Sequence, residues 1–333
     1  MKKIVAITGA VLAAALALTG CSKKSNSTAS NSSAKDLITI GYAQVGAESD
    51  WRLANTESFK KTFTEENGYK LIFDDAQQRQ ENQIKAMRNF IQQDVDYIVV
   101  APVVETGWET VLTEAKNAGI PVILSDRQMK VSDDSLYLCW VGGNFLKEGR
   151  DSVKWLESYL EKMGRSNEQI NIVDLQGTIG ASAQIGRTQG IEEGVAAHSN
   201  WTMVAQQSGD FTQDGGQKVM EAILKSVGPD NIDVVFAEND NMAWGAIDSI
   251  KAAGKVPGKD IIIICFDAVR ETFNRMIAGE INCACECNPL HGPRVAEIIQ
   301  TLQNGGTVDK IQYVNEEVFD QENAAEMLPT RAY

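Results

Sequence analysis

The sequence predicts an α/β protein of two doubly wound parallel-sheet domains. Three observations carry this reading. Short apolar runs alternate with segments of helical period nearly throughout residues 37–303, the pattern of parallel sheets covered by helices on both faces. The halves echo each other: Asp96-Tyr97-Ile98-Val99-Val100-Ala101 resembles Asp233-Val234-Val235-Phe236-Ala237, and the runs 120–127 and 261–268 both pass from apolar residues into an aspartate. Finally, residues 37–333 are too many for one comfortable core, so two domains are expected.

In order along the chain, a strand over 37–45 runs into a helix over 51–67. A strand at 70–73 precedes a helix at 78–93, in which Ile84, Met87 and Ile91 share a face. A strand at 97–100, a helix at 105–118 and a strand at 121–125 complete the first half. Gly142 and Gly143 interrupt the pattern and mark the seam near 141–144. The second half repeats the alternation, with helices at 144–163, 182–197, 212–227 and 241–253. Its strands fall at 170–175, 202–206, 234–237 and 261–266. Four isoleucines, 261–264, fit a strand buried on both faces. From 281 onward come another strand, a helix over 293–303 and a final strand near 311–318.

The first 36 residues stand outside this pattern. Lys2 and Lys3 precede an apolar run, 4–18, too short for a confident membrane span, so residues 1–20 read as an export signal. Leu18-Thr19-Gly20-Cys21 resembles the lipobox of bacterial lipoproteins, which implies cleavage before Cys21 and a lipid on its sulfur; the alternative is an ordinary secretory signal that contains a cysteine. Residues 21–36, rich in Ser, Asn, Lys and Ala, read as a flexible tether. No other stretch is long and apolar enough to span a bilayer. A net charge of −14 argues against nucleic-acid and anionic-lipid partners.

With Cys21 lipidated, five cysteines remain: Cys139, Cys265, Cys283, Cys285 and Cys287. An odd number argues against a full disulfide framework. The last three alternate, so they would share one face of a strand. A thiolate metal site completed by His291 is one reading, but zinc sites use wider spacing. The expectation is buried, small, apolar side chains with at most one disulfide, and no metal or cofactor.

Polar residues gather where each strand ends. The first strand leads into Val45-Gly46-Ala47-Glu48-Ser49-Asp50-Trp51-Arg52, which supplies carboxylates, a hydroxyl, an indole and a guanidinium. Asp126-Arg127 follows Ser125, Gln176-Gly177 follows Leu175, and Ser208-Gly209-Asp210-Phe211 follows Gln207. Glu238-Asn239-Asp240 follows Ala237, and Asp267 follows Phe266. Open α/β sheets bind ligands at the carboxyl ends of their strands. Two such edges facing each other would converge on one cleft. Carboxylates accept from adjacent hydroxyls, an amide accepts and donates, a guanidinium is a fork of donors, and an indole offers a plane to a ring's C–H face. This chemistry points to a sugar.

These residues carry a family resemblance over nearly all of residues 37–333. The chain resembles the ribose/galactose-type periplasmic solute-binding proteins of ABC importers, and is most similar to their galactofuranose-binding branch. The motifs are Gln44-Val45-Gly46 with Glu48-Ser49 and Trp51-Arg52, Glu81-Asn82-Gln83-Ile84-Lys85-Ala86, Ala101-Pro102-Val103-Val104, Thr106-Gly107-Trp108-Glu109, Asp126-Arg127, Gln176-Gly177-Thr178 with Gly180-Ala181-Ser182, and Ser208-Gly209-Asp210-Phe211. The resemblance implies ligand contacts at Glu48, Ser49, Trp51, Arg52, Asp126, Arg127, Arg187, Asn239 and Asp267. Asp50, where relatives often have glycine, and Glu286, where they place a polar contact near the hinge, complete the set. It also implies three crossings between lobes, near Asn144, Asn288 and Ile311. That gives an N-terminal lobe of 37–143 plus 288–310 and a C-terminal lobe of 144–287 plus 311–333.

Blander roles compete at several positions. Trp51 could anchor a core, Asp126-Arg127 could be a surface pair, and Arg187 could pair with a nearby acid. Of Asn239 and Asp240, the second is nearer the helix start and is the expected N-cap, which leaves Asn239 for a ligand. Asp267 could close an Asx turn. Phe211 is assigned to core packing, and Trp108 to the cleft rim or a helix contact.

The expectation is a monomeric, lipid-anchored, extracytoplasmic sugar-binding protein with no enzymatic activity, working with ABC permease subunits in the membrane by hinge closure over a monosaccharide. Fructose or another pentose or hexose is the alternative ligand. Three rival functions remain. One is a sugar-acting enzyme using Glu48 and Asp126 as acid and base. Another is a lactose-repressor-type regulator, which would need an N-terminal helix-turn-helix where this chain has an export signal. The third is a sensor partner that reports the sugar to a membrane receptor.

Overall fold

A computed structural model describes residues 37–333; the expected signal, Cys21 and tether lie outside the described residues. The chain builds β1 (Ile38–Gln44), α1 (Asp50–Thr62), β2 (Tyr69–Asp75), α2 (Gln80–Gln92), β3 (Tyr97–Val100), α3 (Glu109–Asn117), β4 (Val122–Ser125) and β5 (Cys139–Gly142). It continues through α4 (Phe145–Lys162), β6 (Ile170–Gln176), α5 (Ser182–Ala197), β7 (Trp201–Ser208), α6 (Gln213–Val227), β8 (Val234–Ala237), α7 (Asp240–Ala252), β9 (Ile262–Asp267), α8 (Arg270–Ile277) and β10 (Cys283–Glu286). Last come α9 (His291–Gln303), β11 (Ile311–Tyr313), β12 (Val318–Asp320) and α10 (Ala324–Met327).

Two six-stranded sheets result, ordered β11-β5-β4-β3-β1-β2 and β12-β10-β9-β8-β6-β7. Every pairing is parallel except β10 with β12. Each sheet is buried on both faces. Along β1, Ile40 and Tyr42 pack toward Phe59 of α1 and Val295 and Ile298 of α9, while Ala43 faces Met87 and Phe90 of α2, the alternation a strand imposes. Gly41 lets Phe90 lie on the sheet: a Cβ there would stand 2.5 Å from its ring. In the second sheet, Val234 and Phe236 of β8 face one cluster, and Val235 and Ala237 face the other.

The structure corrects the sequence reading at three places. Residues 139–142, not read as a strand, form β5, and the glycines of the expected seam at 141–144 stand at and just after its end. The single final strand expected near 311–318 is two strands in different sheets. The third crossing is therefore 314–317, and residues 311–313 belong with the first sheet rather than the second lobe. Finally, α8 went unread because only Phe273 and Met276 mark its short apolar face. The five described cysteines are free and buried. Cys283 and Cys285 share a face in an apolar cluster, but Cys287 lies beyond the strand and packs elsewhere.

Candidate functional site

The carboxyl end of β1 organises one half of the site. Gln44 points inward, where its Nε2 meets Tyr42 Oη, Asn55 Oδ1 and Thr56 Oγ1. Its Oε1 accepts from Arg52 Nη1 at 3.2 Å. Ser49 caps α1, its Oγ accepting from Arg52 N at 3.1 Å, which sets Trp51 and Arg52 in the first turn. Arg52 donates from Nε to Glu48 at 2.9 Å and from Nη2 to Asp126 Oδ2 at 2.7 Å. Asp126 leaves β4 in the left-handed region, at φ +65°, a conformation that costs energy unless it is held. Asp126 N donates to Val141 O, and Asp126 O accepts from Trp140 Nε1, each at 2.8 Å.

These pairs set the ionisation. Burial alone would raise the Asp126 carboxyl, but Arg52 and Arg127 overcome it and hold Asp126 below its ordinary value. Burial likewise opposes the charge on Arg52, yet Asp126 and Glu48 raise its pKa. Burial and then Arg52 push the Arg127 guanidinium down to about 10. Arg127 donates to Val103 O at 3.0 Å, but its Nε is buried without a partner, as is Glu48 Oε2.

The second half comes from the other sheet. Arg187 on α5 donates to Glu148 Oε2 at 2.8 Å, to the Glu238 carbonyl, and to Asp267 Oδ1 at 3.5 Å, with its guanidinium carbon 4.9 Å from the Phe266 ring centre. Burial raises Asp267 well above the usual carboxylate range, and Arg187 only partly opposes it. Asn239 Oδ1 caps α7 by accepting from Met242 N at 2.9 Å, and its Nδ2 donates to Phe211 O at 2.9 Å.

Nine of the eleven sequence-predicted residues line one cavity of about 280 Å³: Glu48, Ser49, Trp51, Arg52, Asp126, Arg127, Arg187, Asn239 and Asp267. The lobes close over it. Glu105 N donates to Gly180 O at 2.9 Å, and Gln128 N donates to Ser182 Oγ at 2.8 Å.

Two predicted residues do not line the cavity. Asp50 is exposed at the start of α1 and turns away to Asn241 of the other lobe. Asn241 Nδ2 donates to its Oδ2 at 2.7 Å, and Asp50 N donates to Asn241 Oδ1 at 3.1 Å. Glu286 shares the strand face of Ala284, two residues earlier. It accepts there from Arg331, from Tyr333 Oη and from Glu317 N. The expected N-cap is also reversed: Asn239 is the cap, while Asp240 accepts from Val269 N and Cys265 Sγ.

Sequence reasoning missed Ala183, Phe211 and Cys287 among the lining residues. Phe211 is buried, as a core residue would be, but its ring also walls the cavity, 5.1 Å from the Arg127 guanidinium carbon. Gly177 makes room for that ring, which a Cβ would overlap. Its place after a strand end was the available signal. Cys287 O accepts from Trp51 Nε1 at 2.6 Å, fixing the indole. Trp108 is fully buried and donates to Val104 O, away from the cavity. Among the described residues one acid and thiol grouping, Glu148, Cys287 and Glu316, is compact enough to suit a metal. Arg187 pairs with this group at Glu148, through Oε2.

Two lobes shut on a small chamber of paired charges define a binding protein for one small polar molecule. The chain belongs to the periplasmic binding protein family: the family described as "Periplasmic binding protein domain" matches residues 40–320. It is 41% identical over 293 residues to the galactofuranose-binding protein YtfQ of Escherichia coli K12, covering 87% of this chain and 90% of that one. A solved structure from Mycobacterium smegmatis in complex with β-D-fucofuranose is 46% identical, with a TM-score of 0.83 over 88% of this chain and 94% of that one. The binding protein of an arabinose ABC transporter from Shewanella sp. ANA-3, bound to α- and β-L-arabinofuranose, is 42% identical, with a TM-score of 0.83 over 88% and 95%. The Escherichia coli and Shewanella relatives are both named as binding proteins.

Proposed function

We propose that this protein is the extracytoplasmic, lipid-anchored binding component of an ABC sugar importer, and that its cavity holds a monosaccharide in furanose form. The observation that carries the reading is the pair of buried, unpartnered polar atoms in the cavity wall, Glu48 Oε2 and Arg127 Nε. A buried acceptor and a buried donor without protein partners are costly, and a hydroxylated guest satisfies both. Trp51 supplies the apolar plane beside them. The furanose form and importer role draw support from the relatives named above. The nine cavity residues named from the sequence are the proposed ligand contacts, and closure of the two lobes is the proposed response to ligand. Permease subunits are the proposed partners, a lipid on Cys21 the proposed anchor, and a monomer the proposed state.

Calorimetric titration with D-galactose, D-fucose, L-arabinose, D-fructose and D-ribose tests the reading. Saturable binding of a sugar with an accessible furanose form supports it. Failure of every sugar to bind overturns the carbohydrate assignment, and tightest binding by fructose favours the alternative ligand. Mass spectrometry of the N-terminal peptide from membrane fractions tests the lipid on Cys21.

A further inference from the structure

Glu316 lies on the third crossing, residues 314–317, and touches the other two. Its Oε2 accepts from Asn144 N on the first crossing and its Oε1 from Asn288 N on the second, each at 3.4 Å. One side chain thus bears on all three segments that must bend when the lobes part. Beside it stands Glu148 of α4, 96% buried. Glu148 Oε2 holds the cavity residue Arg187, while Glu148 Oε1 has no hydrogen-bond partner. Ligating atoms of Glu148, Glu316 and Cys287 lie within 4.8 Å of one another. The gap between the carboxyls is kept open by Gly143, where a Cβ would stand 2.5 Å from Glu148 Oε1 and overlap Glu316 Oε1.

Two carboxyls this close, largely out of water, resist carrying two charges. Burial raises both carboxyls, and Arg187, bonded to Glu148 Oε2, opposes this most directly at Glu148; the shared proton therefore belongs on Glu316, with the orphan Glu148 Oε1 as its acceptor. We propose that Glu316 is a positioning residue for ligand binding: as a neutral acid it donates to Glu148, keeps Glu148 on Arg187 and ties the three crossings together in the closed form. This rests on the cavity being the sugar site.

The titratable and charged groups facing Glu316 are Glu148 and Lys147 from α4, Arg187 from α5 and Cys287 from the second crossing, with Asp126 acting on Glu148 from the other lobe. Burial, then Glu148, push the Glu316 carboxyl up to about 9, against the pull of Arg187. Opening the cleft hydrates the crossings and returns Glu316 toward its ordinary value. Closure therefore takes up a proton, and affinity declines as pH rises from the usual carboxylate range toward 9.

The test compares wild type, Glu316→Gln and Glu316→Ala by calorimetry with L-arabinose and D-galactose from pH 5.5 to 9.5, and by thermal unfolding with saturating sugar. Glutamine keeps a neutral donor toward Glu148 and one acceptor, and gives up only one of the two long 3.4 Å bonds from Asn144 N and Asn288 N. E316Q is expected within about threefold of wild-type affinity at pH 6, whereas E316A, which leaves the acceptor orphaned, loses about tenfold. Wild-type affinity should fall about tenfold or more across the range, and that of E316Q should stay flat. In unfolding, the Tm of wild type should drop relative to E316Q between pH 5 and 9. Loss of binding or of folding in E316Q at pH 6, or identical pH profiles for wild type and E316Q, overturns the proposal. If neither sugar binds wild type at pH 6, the sugar reading fails and this proposal with it; sugar binding with the same pH profile in wild type and E316Q overturns the proposal alone.

Discussion

Replacing Asp126 with asparagine separates the charge of the site from its shape. Asp126 Oδ2 lies 2.7 Å from Arg52 Nη2 and 3.9 Å from Arg127 Nε, with both guanidinium groups buried. Asparagine tolerates the left-handed backbone at φ +65° and occupies the same volume. It loses the charge that made this group a strong acceptor. A charge-assisted hydrogen bond contributes about 1.5–3 kcal/mol, so a carboxylate that takes one ligand hydroxyl and organises Arg52 for a second loses about 3 kcal/mol in all, or roughly 150-fold in Kd. Asp126→Ala should lose at least as much affinity, and stability too. It removes one of two anions from Arg52 and leaves a residue less suited to positive φ, together about 2–4 kcal/mol, with Glu48 limiting the damage. Calorimetry with L-arabinose and D-galactose at pH 7 reads the first effect, and thermal unfolding reads the second. If both variants bind within about threefold of wild type while remaining folded, Asp126 does not hold the ligand and the convergence argument fails.

Three further outcomes follow from the same geometry. Asp50→Ala and Asn241→Ala should each speed ligand release about three- to tenfold in stopped-flow measurements. Because the two residues bond each other, the double variant should be no worse than either single one; a drop in affinity for D50A that persists fully in the N241A background would restore Asp50 as a direct contact. Asp126 is held below its ordinary value of 3.8, so the binding it supports should persist down to pH 5 and vanish only as the pH falls below 3.8. A midpoint above pH 5 in a fluorescence titration would contradict that ionisation. Galacturonate should fail to displace L-arabinose at about a hundredfold excess, because the site has no uncompensated cation to receive a carboxylate.

What the sequence disclosed was the type and place of polar residues along each strand, not their aim. The apolar runs leading into Asp126 and Asp267 were legible because a parallel strand buried on both faces is a near-continuous apolar run. Both aspartates then take positive φ, +65° and +97°. Asp50 and Glu286 were misplaced for a different reason. Each sits one residue from a true lining residue, and its direction depends on a partner distant in sequence: Asn241 for Asp50, and the 331–333 segment for Glu286. Phe211 and Cys287 carry side chains that look like core, and only the meeting of lobes turns them into cavity wall. The three-residue strands β11 and β12 are too short to show a period, so nothing local assigns them to opposite sheets. Asn239 took the cap because α7 begins one residue earlier than its apolar pattern does.

The chamber contains far more charge than a neutral guest would seem to need, and pairing explains why this is tolerable. Arg52 has Glu48 and Asp126, and Arg187 has Glu148 and Asp267. Arg127 reaches the same acids at longer range, 3.7 Å to Glu48 and 3.9 Å to Asp126. Three cations face four acids, and burial, only partly opposed by Arg187, favours the neutral form of the fourth, Asp267. An anionic ligand would enter with no free cation to offset its desolvation, and a cationic one with no free anion. A neutral polyol enters without that penalty and still meets ionised groups, which bind hydroxyls more strongly than neutral ones do. Because the protein has already brought those charges together, the ligand need only complete their remaining hydrogen bonds, beginning with Glu48 Oε2 and Arg127 Nε.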